Sequence, residues 1–226
     1  MKRRTFLATV LAATNAAPLL AALQGERWDE AAGVLEQATA RKQVDAAVLH
    51  VLQKQETFTR HFGTAGSGNA MFLLGSISKP INVAALMTLF DQGKFQLDDQ
   101  VQKYLPQFKG DSREEVTIRH LLTHVSGLPD QVPTNTELRK RHSPLKTFVE
   151  QSLSLPLSFK PGTRYQYSSM GILLATRIGE LLSGIDVNTL VDREVFQPLG
   201  MKHSAQGLGR FRLEDMVVCQ QEGAAP

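Results

Sequence analysis

Cysteine is nearly missing from this sequence: Cys219 stands alone in 226 residues. No intramolecular disulfide can form, and Cys219 sits in no recognisable nucleophile context, so it reads as structural. Also missing are internal repeats, low-complexity segments and the G-x-S-x-G of an α/β-hydrolase elbow. His120 and His124 are four residues apart, as zinc ligands on a helix can be. The chain has no H-E-x-x-H glutamate and no clear third ligand, so neither a metal site nor a cofactor is expected.

Acidic residues are missing from the start of the chain, where none precedes Glu26. Lys2, Arg3 and Arg4 supply three of the formal net charge of +3, and without them the remainder is formally neutral. The basic character is therefore partly a property of the leader and gives little reason to expect nucleic acid as a partner. Met1-Lys2-Arg3-Arg4-Thr5-Phe6-Leu7 opens a weakly apolar run to Leu23. A basic start, a short apolar stretch and small residues near its end describe an export signal, and Arg3-Arg4 before Phe6-Leu7 looks like the twin-arginine type. Thr9, Thr14, Asn15 and Pro18 interrupt the run, which argues against a stable membrane span. Residues 1–22 are assigned to the signal, with cleavage after Ala17 or Ala22 equally compatible, and a periplasmic or secreted location is expected. Residues 23–226 are assigned to one domain; the chain as a whole is 42% hydrophobic and 21% charged, an ordinary globular balance that argues against bulk disorder.

Glu26–Arg41 carries Trp28, Ala31, Val34, Leu35 and Ala38 at helical spacing. Asp45–Val51 and Thr57–Gly63 read as strands joined by a polar turn at Gln53–Glu56. Ser76–Gln92 reads as a long helix, apolar nearly all round, with Gly93 as its stop and Pro80 tolerated in its first turn. Shorter helices are predicted at Val101–Leu105, Thr117–His124 and Pro144–Ser152. A second buried helix is predicted at Ser168–Ser183, before Gly184, and a last one at Val187–Phe196. The tail Gln220–Pro226 has no periodic signal. Two early strands followed by many helices is not the alternation of a parallel sheet. The pattern predicts an α/β (α+β) fold, an antiparallel sheet flanked by helices with a mainly helical region. The remaining strands of that sheet are expected to lie outside the chain.

Ser76-Ile77-Ser78-Lys79 is where chemistry enters. On a helix, positions i and i+3 share a face, so Lys79 neighbours Ser76. A serine hydroxyl is a weak nucleophile and needs a base beside it, which an amine can provide. The helix N-terminus adds a field that favours the anion formed during attack. The same spacing recurs at Ser143-Pro144-Leu145-Lys146. There Ser143 reads as a helix cap with Pro144 at the first helical position. Ser76 differs in following the apolar run Met71-Phe72-Leu73-Leu74 and in opening a buried helix.

Leu74-Gly75-Ser76-Ile77-Ser78-Lys79 resembles the nucleophile motif of the class C β-lactamase-like serine hydrolases, the penicillin-recognising group. Leu97-Asp98-Asp99 with Lys103-Tyr104-Leu105-Pro106 resembles the segment that follows it. Thr117–His124 with Ser126-Gly127-Leu128, then Pro161-Gly162, Tyr167-Ser168-Ser169-Met170-Gly171 and Pro198-Leu199-Gly200-Met201, continue the likeness in order over roughly residues 45–205. The resemblance implies a β-lactamase/transpeptidase-like fold and a covalent acyl-enzyme on Ser76. Lys79 would orient and deprotonate the serine. Tyr167 would act with Lys79 as base and then as acid to the leaving group. The Ser76 backbone N–H would be one oxyanion donor. Ser169 occupies a substrate-binding position where the family usually has Asn, which leans the expectation from β-lactams towards esters and peptides. The family's third motif, a Lys/His-x-Gly strand, is not present, and a C-terminally truncated, inactive domain is expected. The expected function is cleavage of an ester, amide or β-lactam. The alternative is a catalytically impaired binding or sensor module on the same fold.

Overall fold

Helix α6, Ser169–Ser183, is the element around which most of the protein is packed. Ser168 starts it by accepting the Gly171 N–H on its side-chain oxygen, and Gly184 ends it in the left-handed conformation. Eight of its residues are buried, among them Met170, Leu174 and Ile178. Helices α2 (Ser78–Asp91), α3 (Ile118–Leu122), α5 (Leu145–Ser152) and α7 (Val187–Val191) all pack on it. Full burial of a side chain such as Leu174 contributes about 1.5–3 kcal/mol, and Leu174 is 0% exposed. The core runs from Ala85 to Phe196 and includes Phe95, Phe108, Ile118, Leu121 and Leu128.

The computed structural model describes residues 27–217; residues 1–22, where an export signal is expected, Cys219 and the tail Gln220–Pro226 lie outside them. These residues form two compact units, one of 27–73 with 214–217 and one of 74–213. In the first, residues 27–40 form helix α1. Strands β1 (Ala46–Gln53) and β2 (Glu56–Gly63) form an antiparallel hairpin in which Gln53 pairs with Glu56. The turn is thus only Lys54-Gln55, tighter than the sequence implied, with Lys54 at a φ of 56°. Trp28 of α1 meets Phe58 of β2 at 5.7 Å between ring centroids, and the Arg60 guanidinium lies 4.3 Å from the Phe58 centroid. Among the described residues the sheet has these two strands, with an isolated parallel bridge between Met71 and Met216.

In the second unit the helix predicted from Ser76 is divided. Gly75–Ile77 is a 3-10 turn and the α-helix α2 begins at Ser78, tight turns being frequent at helix starts. Burial of α2 is also less complete than its apolar sequence suggests. Ala85, Leu86 and Leu89 are buried, whereas Ile77 just before it is 60% exposed. The predicted Val101–Leu105 helix is a 3-10 turn at Val101–Lys103. Helix α3 is shorter than Thr117–His124, because Thr117 caps it and His124 takes a left-handed φ of 59°. At the start of α5 the cap is Pro144, in extended conformation, and Ser143 lies outside the helix rather than capping it. The Val187–Phe196 helix changes pitch at Asp192, where a π turn runs to Phe196. Helix α4, Asn135–Lys140, was not legible, since only Leu138 in it is buried and a single apolar position makes no period.

Candidate active site

The start of α2 and the approach to α6 meet at one hydroxyl. Lys79 Nζ lies 2.9 Å from Ser76 Oγ, and Tyr167 OH lies 2.8 Å from the same oxygen, each as donor. The helical path explains the first contact. Residues 77 and 78 hold right-handed torsions, so Lys79 comes back over Ser76. Gly75 turns the chain into this path at a φ of +54°; an added Cβ would meet nothing within 4 Å, so the backbone torsion and not space favours glycine there. Ser78 Oγ donates to Gly75 O at 2.6 Å and closes the turn.

The second contact depends on a loop. The segment after α3, residues 123–130, receives the segment leading into α6 through a series of hydrogen bonds. Gly162 N–H donates to Val125 O, Ser158 N–H to Gly127 O and Gln166 N–H to His124 O. Ser168 N–H donates to His124 Nδ1 at 3.1 Å, and Ser168 Oγ donates to Pro129 O at 2.9 Å. Gly127 is required by close approach: at φ +85°, an added Cβ would lie 2.5 Å from Phe159 O. Tyr167 is thereby presented to Ser76 from a loop pinned on both sides.

The Lys79 ammonium also lies 5.0 Å from the Tyr167 ring centroid. The hydrogen bond with Lys79 first, and then the one shared with Ser76, holds the Tyr167 phenol below the ordinary tyrosine range, outweighing burial. This is the direction a phenol needs if it is to accept a proton near neutral pH.

The four sequence-predicted residues do not all converge. Ser76, Lys79 and Tyr167 are brought together, while Ser169 turns to Asp130. Its hydroxyl donates to Asp130 Oδ1 at 2.6 Å and its N–H donates to the same oxygen at 2.8 Å. Asp130 therefore anchors the first turn of α6, a favourable place for a carboxylate. Neither Asp130 nor His124 was singled out as a functional residue in the sequence; both lie within or beside the motif-like stretch, but their contacts are made 39 and 44 residues away. His120 and His124 are separately engaged. His120 Nδ1 accepts the Thr117 N–H in a capping box, and His124 Nδ1 serves Ser168. Burial pushes both imidazoles below the ordinary histidine range. Asp99 and Asp98 are engaged within the fold as well. Asp99 accepts from Tyr104 OH, Gln96 N–H and Lys103, which holds its carboxyl down at about 2, with the Tyr104 bond foremost. Asp98 pairs with Arg119 through two bonds.

A serine-lysine-tyrosine cluster thus sits at the head of a helix bundle, in a fold of the β-lactamase kind. The chain belongs to the β-lactamase family, whose model, described as Beta-lactamase, matches residues 31–211. Esterase EstB of Burkholderia gladioli is 31% identical over 192 residues, which are 75% of this chain and 49% of the esterase. A penicillin-binding protein of Bacillus subtilis is 33% identical over 141 residues, 60% of this chain and 30% of that protein. Among solved structures, the D-amino acid amidase of Ochrobactrum anthropi complexed with D-phenylalanine superposes with a TM-score of 0.71 at 26% identity, covering 81% of this chain and 54% of the amidase. The chain spans about half the length, or less, of these relatives. Among the described residues no helix is long and apolar enough to cross a membrane.

Proposed function

We propose that the protein is a serine hydrolase that cleaves an ester, or an amide of a D-amino-acid peptide, through an acyl-enzyme on Ser76. The observation that carries this reading is the single oxygen, Ser76 Oγ, held by Lys79 at 2.9 Å and Tyr167 at 2.8 Å. In the resting site both groups donate to Oγ. When Tyr167 gives up its proton, the bond reverses and Ser76 donates to the phenolate, which the Lys79 ammonium stabilises. Oγ then attacks the substrate carbonyl while its proton passes to Tyr167. The oxyanion forms at the N-terminal end of α2, where the Ser76 N–H and the helix field favour negative charge. Collapse breaks the bond to the leaving group, which takes the proton from Tyr167. Water repeats the sequence on the ester of Ser76, releasing the acid and restoring the hydroxyl.

Esters and D-peptide amides are preferred over β-lactams because Ser169 stands where the resembled family usually has Asn, and its hydroxyl is committed to Asp130. The names of the relatives, an esterase and a D-amino acid amidase, agree with that preference. The test is labelling of the full-length enzyme with a fluorophosphonate, followed by peptide mass spectrometry and by turnover of p-nitrophenyl esters and D-amino acid amides. The adduct is expected on the Ser76 peptide, and Ser76→Ala is expected to abolish it. Labelling at Ser143 instead would overturn the assignment, and labelling without turnover would point to the impaired binding module.

Export through the twin-arginine route is part of the same proposal and rests on Arg3-Arg4. Arg3→Lys with Arg4→Lys is expected to leave the protein in the cytoplasm of a host with that system. Fractionation that still finds it outside the inner membrane would show that another signal operates.

A further inference from the structure

We infer that His124 is a positioning residue of this site, whose ring and main-chain carbonyl together hold Tyr167 against Ser76 by ring contact and by the N–H groups of the residues on either side of the tyrosine. The inference rests on the hydrolase reading for its catalytic consequence, although the positioning itself is a matter of geometry. Tyr167 is 38% exposed and lies in a loop, and its hydroxyl is bonded to Ser76 Oγ. A phenol so placed has rotamer freedom that would carry its oxygen away from the serine. His124 restricts it at three points. The Gln166 N–H, just before Tyr167, donates to His124 O at 2.9 Å. The Ser168 N–H, just after it, donates to His124 Nδ1 at 3.1 Å. The two rings lie 4.8 Å apart at 33°, near enough to parallel for the imidazole to form a shelf under the phenol. Tyr165 closes on the same imidazole edge-on, at 5.9 Å and 81°.

His124 reaches these partners because its backbone is left-handed, at a φ of 59°. That conformation is uncommon for residues other than glycine, and His is among the few enriched in it. Strain of this sort persists where surrounding structure holds it, often at functional sites.

The protonation state follows from the bond. Nδ1 accepts from Ser168, so the ring proton is on Nε2. Protonating Nδ1 would set two donors against each other and add a second cation beside Lys79. Burial foremost, and then the charge of Lys79, hold His124 below its ordinary range, against the pull of the Asp130 carboxylate. Lys79, Asp130, Tyr165 and Tyr167 are the titratable groups facing this ring.

The experiment uses the full chain labelled with ¹³C-tyrosine. His124→Asn retains tolerance of the left-handed backbone and offers an amide oxygen to Ser168, but removes the shelf. His124→Phe retains the shelf and removes the acceptor. Both are expected to fold, to shift the Tyr167 ring resonances, and to slow fluorophosphonate labelling of Ser76 by about 10²-fold, the scale of an ångström's misplacement. In a Tyr167→Phe background His124→Asn should cost little more, because the two act as one unit. In the unmutated protein the Tyr167 resonances should report a titration below about pH 6.5, which serves even if both variants unfold. Tyr167 resonances indifferent to His124 substitution and to that titration would overturn the inference. If the unmutated protein is not labelled at Ser76, the hydrolase reading fails instead, and the resonances still decide the role of His124.

Discussion

Serine followed by lysine three residues later occurs twice in this protein, and the two places share little beyond the spacing. At Ser76 the chain runs through a right-handed 3-10 turn into α2, and Lys79 Nζ comes within 2.9 Å of the hydroxyl. At Ser143 the next residue is Pro144, extended at φ −65° and ψ 152°, so serine and lysine are not on one helical path. Lys146 pairs instead with Glu150 one turn on, at 3.7 Å, and its side chain is 82% exposed. A three-residue spacing brings side chains together only where every intervening torsion is helical. The third participant, Tyr167, comes from 91 residues away and is supplied at only one of the two places.

The largest expected effect separates the two lysines. Lys79→Ala and Tyr167→Phe should each slow acylation of Ser76 by about 10²–10⁴-fold, the usual contribution of a general acid–base group. Lys146→Ala should leave single-turnover acylation within about threefold, a change too small for such a role. Comparable losses at Lys79 and Lys146 would erase the distinction.

A pH profile sharpens it. Tyr167 must lose its proton to act as base, so the acylation rate should rise with pH. Because Lys79 and Ser76 lower its pKa, the midpoint should fall below the ordinary tyrosine value of about 10. Tyr167→Phe should flatten that limb. A midpoint at or above the ordinary value, read from labelling rates in buffers of matched ionic strength, would count against the phenolate mechanism.

A smaller effect should appear in stability. His120 and His124 have folded pKa values below the unfolded value of about 6.5. The unfolded chain therefore binds more protons at mildly acid pH. The contribution of these histidines is fully present above about 6.5 and is lost as pH falls through the folded values. Urea midpoints should decline over that window, and less so in His124→Asn; equal declines in the two proteins would remove His124 from the account. The smallest effect is at the second place. Exposed pairs one helical turn apart contribute about 0.3–0.5 kcal/mol, so Lys146→Ala should barely move the urea midpoint.

Much of the fold was legible because its signals are local. Apolar spacing marked α2 and α6, Gly93 and Gly184 marked their ends, and alternating residues before and after Lys54-Gln55 marked the hairpin. The sequence misjudged features that depend on neighbours. The apolar sequence of α2 suggested burial all round, yet its start is exposed and carries Ser76, the proposed nucleophile. Asn135–Lys140 is helical without an apolar period, and the left-handed torsion of His124 has no local signature strong enough to shorten a helix in advance. At the site, Ser76, Lys79 and Tyr167 were visible through their spacing and resemblance. Ser169 was visible too, but its partner Asp130 was not.

The amino-acid sequence by itself determined which residues have nucleophilic and proton-transferring chemistry, and it placed a lysine one helical turn from a serine, because helix geometry converts spacing into proximity. It also determined the helix that opens at Ser168, through a hydroxyl able to cap it. Tertiary structure decided which of the two serine-lysine pairs acquires a tyrosine. It also decided that Ser169 faces a carboxylate and that one histidine, through its carbonyl and its ring, braces the residues on either side of Tyr167. Those contacts join segments dozens of residues apart, and their distances are set by how α3 and the loop after it pack against α6, a sum of many small burial energies that no short stretch of sequence contains.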